Sequence, residues 1–90
     1  MKLALFSVQD LKAGVFLSPF PARSAIDAKR QIAASFENPS MRDTPVAKNP
    51  EDFRLMHVGA FDGESGEITA VLPSLIAEMS ELAPVGTVRS

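Results

Sequence analysis

Residues 53 to 72 read FRLMHVGAFDGESGEITAVL. Two apolar runs flank DGESG, an order that admits little besides a β-hairpin. In the first run Phe53, Leu55, His57, Gly59 and Phe61 alternate with Arg54, Met56, Val58 and Ala60, the period of two that a strand demands. Asp62 starts the turn, Gly63 and Gly66 supply backbone freedom, and EITAVL returns as the second strand. Both faces of the first run are largely apolar, so this strand belongs inside a sheet rather than on its rim.

The hairpin also holds the single histidine and three carboxylates, which raises the question of chemistry. Asp62 lies about 15 Å along an extended chain from His57, too far for a hydrogen-bonded pair. The imidazole therefore reads as a packed strand residue, and Asp62, Glu64 and Glu67 as a solvated turn. DGESGE lacks the alternating oxygen ligands and closing Glu of a calcium loop. No helix follows Gly63 and Gly66, which removes a phosphate cradle. With no cysteine in the chain, thiolate sites and disulfides are excluded, and the one histidine cannot make a metal site without several carboxylates beside it. None of the serines sits in a nucleophile elbow. The expectation is a protein that is not an enzyme, with no metal and no cofactor.

The rest of the chain supplies a partner for the hairpin. KLALFSVQ, residues 2 to 9, is apolar on both faces and reads as a central strand that stays, not as a signal peptide, because polar Gln9 and Asp10 cut its apolar run short. Turn residues 10 to 14 lead to GVFLSPF, a second strand that Pro19 and Pro21 confine to an edge. Ser24 is an N-cap with Asp27 three residues on, predicting a helix over residues 24 to 37 with Ile26, Ile32, Ala33 and Phe36 toward the core. Residues 39 to 50, PSMRDTPVAKNP, carry three prolines and no apolar period, a long loop of the kind that is functional or mobile. Pro73 and Ser74 open LIAEMSELA, a short amphipathic helix, and the tail from residue 84 to 90 has no pattern.

The predicted fold is one α+β domain spanning residues 1 to 90. A small four-stranded antiparallel sheet, in the spatial order 2-1-3-4, carries one main helix and a short C-terminal helix. Ninety residues with 46 % hydrophobic side chains suffice for a single core that buries about 60 to 65 % of the unfolded surface. No run of 18 apolar residues is present, so no membrane span is expected.

Charge divides the chain. Residues 1 to 54 hold eight Lys/Arg against six Asp/Glu, and residues 55 to 90 hold one against five, for a net charge of −2. Strong non-specific binding to duplex DNA asks for a more basic protein, since each phosphate contact needs a cation. Lys12, Arg23, Lys29, Arg30, Arg42 and Lys48 nevertheless form a candidate cationic patch if the fold gathers them. Phe16, Phe20, Phe53 or Phe61 would then offer bases a surface to stack on.

Four motifs carry a resemblance. Ser7-Val8-Gln9-Asp10 ends the first strand, Pro19-Phe20 follows the second, Asn49-Pro50-Glu51-Asp52-Phe53 enters the third, and Met56-His57-Val58-Gly59-Ala60-Phe61-Asp62 runs through it. Together they resemble the small non-structural protein of gokushovirus-type microviruses, which are single-stranded DNA phages. The match covers residues 1 to about 69; the turn GES and residues 70 to 90 depart from it. The resemblance implies a phage accessory in the cytoplasm of the bacterial host that acts in genome replication or packaging. Its partner would be single-stranded DNA or the replication and packaging machinery. The alternative is a homo-oligomeric protein-interaction module that associates with capsid or host proteins.

Overall fold

The computed structural model describes residues 1 to 84. Its elements are β1 (Lys2–Asp10), β2 (Val15–Phe16), β3 (Phe20–Ala22), α1 (Ala25–Ser35), α2 (Pro45–Lys48), β4 (Phe53–Asp62), β5 (Ile68–Glu78) and α3 (Met79–Leu82). The sheet is antiparallel in the order β2-β1-β4-β5, with β3 also paired to β1. The two apolar strands thus lie inside, as their two-sided hydrophobicity requires.

The expected second strand is split. Gln9 pairs with Phe16 and Phe6 with Phe20 on the same side of β1, and residues 17 to 19 bridge the gap. Pro19 lacks an amide hydrogen for a continuous ladder. The break is closed instead by the Leu17 amide donating to Val8 O at 2.9 Å and by the Ser7 hydroxyl donating to Leu17 O at 2.6 Å. Four predicted strands become five in this way, without a change of order.

A bulge in β4 decides which residues meet the core. Phe6 pairs with His57 but Leu5 with Gly59, so Val58 is an extra residue in the ladder. Phe53, Leu55 and His57 share the face of Ala4, Phe6 and Val8. Beyond the bulge Gly59 and Phe61 emerge on the opposite face, beside Leu5 and Leu3. This corrects the strict alternation read from the sequence, which put all five on one side.

All three helices pack on the Phe6 face. The core holds Phe6, Val8, Ala22, Ala28, Val46, Phe53, Leu55 and Met79, with Ile32, Phe36, Met41 and Ile76 against it. Ser24 caps α1 by accepting the Asp27 amide, and the Asp27 carboxylate accepts the Arg23 amide, so two amides at the helix start are satisfied. The inward stripe is Ala25, Ala28, Ile32 and Phe36. Ile26 is 63 % exposed and Ala33 is also exposed, contrary to the stripe expected from the sequence.

Two further segments differ from expectation. Residues 39 to 52 are a chain of short capped turns: a 3-10 turn Pro39–Met41, then α2, then a 3-10 turn Pro50–Asp52. Val46, Ala47 and Pro50 are buried. Prolines at the first positions start each turn, where a missing N–H costs nothing. Residues 73 to 78, expected to be helical, continue β5, and the helix shrinks to α3. There Arg54 lies opposite Glu78, its Nε donating to both carboxylate oxygens at 3.1 and 3.3 Å. Ladder pairing and burial of Ile76 and Ala77 outweigh local helix propensity. Residues 85 to 90, most of the expected tail, lie outside the described residues.

Candidate nucleic-acid interface

The six candidate cations come from three places. Lys12 sits in the turn after β1, which Asp10 organises by accepting the amides of Lys12 and Ala13 at 3.1 and 3.0 Å and which Gly14 closes at φ 73°. Arg23 immediately precedes α1, and Lys29 and Arg30 lie on it. Arg42 follows the Pro39–Met41 turn, and Lys48 is the last residue of α2.

Positions 23, 26, 27 and 30 are helix neighbours one turn apart. Arg23, Ser24, Ile26, Asp27 and Arg30 accordingly line one shallow cleft of about 320 Å³ on the outer side of α1. It presents two guanidinium groups, one carboxylate and an exposed apolar side chain. Lys12 lines another cleft, with Asp10, Pro45, Asn49, Asp52 and Phe53. Its Nζ lies 3.7 Å from Asp52 Oδ2. The two clefts share no residue. Arg23, Lys29, Arg30, Arg42 and Lys48 form no ion pair with a described residue, whereas Lys12 and Arg54 do. Five of the six therefore sit unpaired in the helical layer, and Lys12 is partly spent on a neighbouring acid.

The phenylalanines do not accompany them. Phe53 is 4 % exposed, and Phe20 is half-buried with its ring 6.1 Å from that of Phe6. Phe61 is half-buried and lies on the opposite face of the sheet. Phe16 is 44 % exposed, also on that opposite face, since it pairs with Gln9 beside Arg54. The stacking surface expected beside the cations is thus absent among the described phenylalanines; Ile26, assigned to the core from the sequence, takes that place.

In the hairpin, His57 and the turn acids have separate surroundings. The His57 ring is half-buried against Phe6, with centroids 5.4 Å apart. Asp62 is occupied by its own turn, accepting the Glu64 and Ser65 amides at 2.9 and 3.4 Å. Chiefly because of the Glu64 amide, and against the opposing effect of burial, its carboxyl is held below the usual aspartate range. Gly66 has φ 78°, as the turn requires, but Gly63 does not adopt a positive φ. Gly63 instead lets the chain approach Met1, whose carbonyl accepts its amide at 2.7 Å. Gly59 was missed in the sequence reading: a Cβ there would stand 2.5 Å from the Thr69 carbonyl oxygen. An isolated glycine in a strand pattern was the available signal.

An antiparallel sheet with helices on one face only, and cations in the helical layer, defines a small α+β domain of one exposed and one covered sheet face. A family model described as phage ORF5 protein matches residues 3–82. The chain belongs to that family and is a small phage protein. No curated protein and no solved structure matches it.

Proposed function

We infer that this protein is a non-catalytic accessory of a microvirus-type phage, acting in genome replication or packaging in the host cytoplasm by holding single-stranded DNA. The reading rests on one observation: the unpaired cations of the helical layer. Residues 23 to 48 carry five Lys/Arg against three Asp/Glu, while residues 62 to 81 carry five Asp/Glu and no Lys/Arg. An approaching phosphate chain is drawn to the first and repelled by the second. Arg23 and Arg30 hold phosphates, Ile26 between them gives a base an apolar surface, and Lys29, Arg42 and Lys48 are the further candidate phosphate contacts of the same helical segment. Lys12 joins only when phosphate displaces Asp52.

With three to five phosphate contacts, affinity falls roughly 20- to 100-fold between 50 and 200 mM salt. Fluorescence anisotropy of a labelled oligonucleotide tests this. Binding at low salt, lost in Lys29→Glu/Arg30→Glu, supports the reading; no binding at low salt, or indifference to the double variant, overturns it. The homo-oligomeric interaction module is the second reading, favoured by the sheet face that no helix covers. It predicts that the same double variant changes nothing.

A further inference from the structure

Alternation along β1 puts Phe6, Val8 and Asp10 on the covered face of the sheet, and register sets Asp10 opposite Phe53. An aspartate thus stands where that face calls for an apolar side chain. Its Oδ1 accepts the Lys12 and Ala13 amides, and its Oδ2 has no partner among the described residues. Above it lie short capped turns rather than a long helix, and their buried residues are Val46, Ala47 and Pro50, none of them large. Sheet and helical layer do not close at this end. A cavity of about 400 Å³ opens between them, with Val8, Asp10 and Phe53 as its floor and Ile32, Met41 and Met79 among its walls. Thr44, the other polar residue that lines it, is turned back on its own turn, donating to Met41 O and accepting the Ala47 amide. The cleft of Lys12, Asn49 and Asp52 adjoins the cavity, since both are lined by Asp10, Pro45 and Phe53. Protein interiors are close-packed. An apolar hollow of this volume with polar groups at one end has the form of a binding site.

We propose that this cavity takes a short segment of another protein, one that carries two bulky apolar side chains followed by Lys or Arg. The site shares no residue with the Arg23–Arg30 cleft, so it stands or falls apart from DNA binding. Three observations select this occupant. The lining offers a base or a phosphate almost nothing to pair with, because Asp10 and Thr44 are its only polar residues and Thr44 is spent on its own turn. Charge points the same way. At the mouth Asp10 and Asp52 face Lys12 alone, and Lys12 already lies 3.7 Å from Asp52, which leaves one negative charge in excess to repel phosphate and draw a cation. Volume sets the apolar part. A cavity of about 150 Å³ accommodates benzene, so one of about 400 Å³ accommodates two side chains of that size. The adjoining cleft then leads the main chain out past the acids.

Methyl NMR of the full chain tests the proposal, because Met41 and Met79 line the cavity and Met1 and Met56 do not. The probes are three capped tetrapeptides, Phe-Leu-Lys-Arg, Phe-Leu-Glu-Glu and Ala-Ala-Lys-Arg. The first is expected to shift the Met41 and Met79 methyls saturably and to leave those of Met1 and Met56 in place, while the other two bind at least tenfold more weakly. Asp10→Asn/Asp52→Asn keeps an acceptor for the turn amides and removes both charges. It is expected to weaken binding of Phe-Leu-Lys-Arg roughly five-fold, with unchanged circular dichroism to verify that it folds. Failure of Phe-Leu-Lys-Arg to move the two methyls overturns the proposal, whether or not the protein binds DNA. Equal binding of Phe-Leu-Glu-Glu, or a folded double variant that binds as wild type does, overturns it in favour of an uncharged apolar ligand. Movement of the same methyls by a single-stranded oligonucleotide and not by the peptide overturns it in favour of nucleic acid.

Discussion

Glycine at position 59 shows how one missing side chain sets the geometry of the hairpin. The Thr69 carbonyl occupies the space a Cβ would need, and both atoms belong to strand backbone that cannot retreat. Gly59→Ala is expected to destabilise the domain by roughly 1 to 3 kcal/mol, the range for overpacking. At Gly63 the added Cβ would stand 3.3 Å from Met1 O, at a terminal residue free to shift. Gly63→Ala is therefore expected to stay within about 0.5 kcal/mol of wild type. Urea unfolding of both variants checks the contrast; equal losses would contradict it. Asp62 gives a prediction with a sign. Its folded pKa is depressed, so its contribution to the turn is present above the unfolded aspartate value and lost as pH falls through the folded one. An acid titration by NMR should show the Asp62 carboxyl and the Glu64 and Ser65 amides moving together, below the ordinary aspartate range. In Asp62→Asn those two amides should stay flat. The acids of this turn were legible in the sequence, because Asp and Gly at a hairpin tip have few other uses; the reason for Gly63 was not, because it depends on where residue 1 arrives.

At the scale of elements, local signals carried furthest where one residue satisfies a neighbour's amide. The Ser24 cap and the Asp27 contact were readable because they span three or four residues. Ser24→Ala is expected to cost about 1 kcal/mol, seen as a lower unfolding midpoint. The facing of α1 was readable in part from its own pattern: Ile32 and Phe36 pack against the core as expected, while Ile26 and Ala33 do not. In the first turn it is Ala25 and Ala28 that turn inward while Ile26 points out, since Ala28 is fully buried and Ile26 is 63 % exposed. Residues 73 to 78 show the reverse. Their spacing suits a helix, but Glu78 opposite Arg54 and burial of Ala77 beside Leu55 make them the end of a strand. The bulge at Val58 was invisible for the same reason: a one-residue slip is set by pairing with β1 and β5, not by residues 53 to 62 alone.

For the whole molecule, the division of labour follows from covering a two-sided apolar sheet on one side. The helical layer closes the Phe6 face and carries the unpaired cations outward. The hairpin end carries the acids, and no helix covers the remaining face. The candidate cations were found from the sequence, but their grouping was not, because only the packed helices decide that Arg23 and Arg30 share a cleft while Lys12 meets Asp52. Titrating isotope-labelled protein with a short single-stranded oligonucleotide at low salt and following every amide tests the account most directly. It predicts shifts concentrated in residues 23 to 48, strongest around Arg23 to Arg30, with residues 62 to 78 unmoved. Shifts confined to β4 and β5, or none at all, would contradict it.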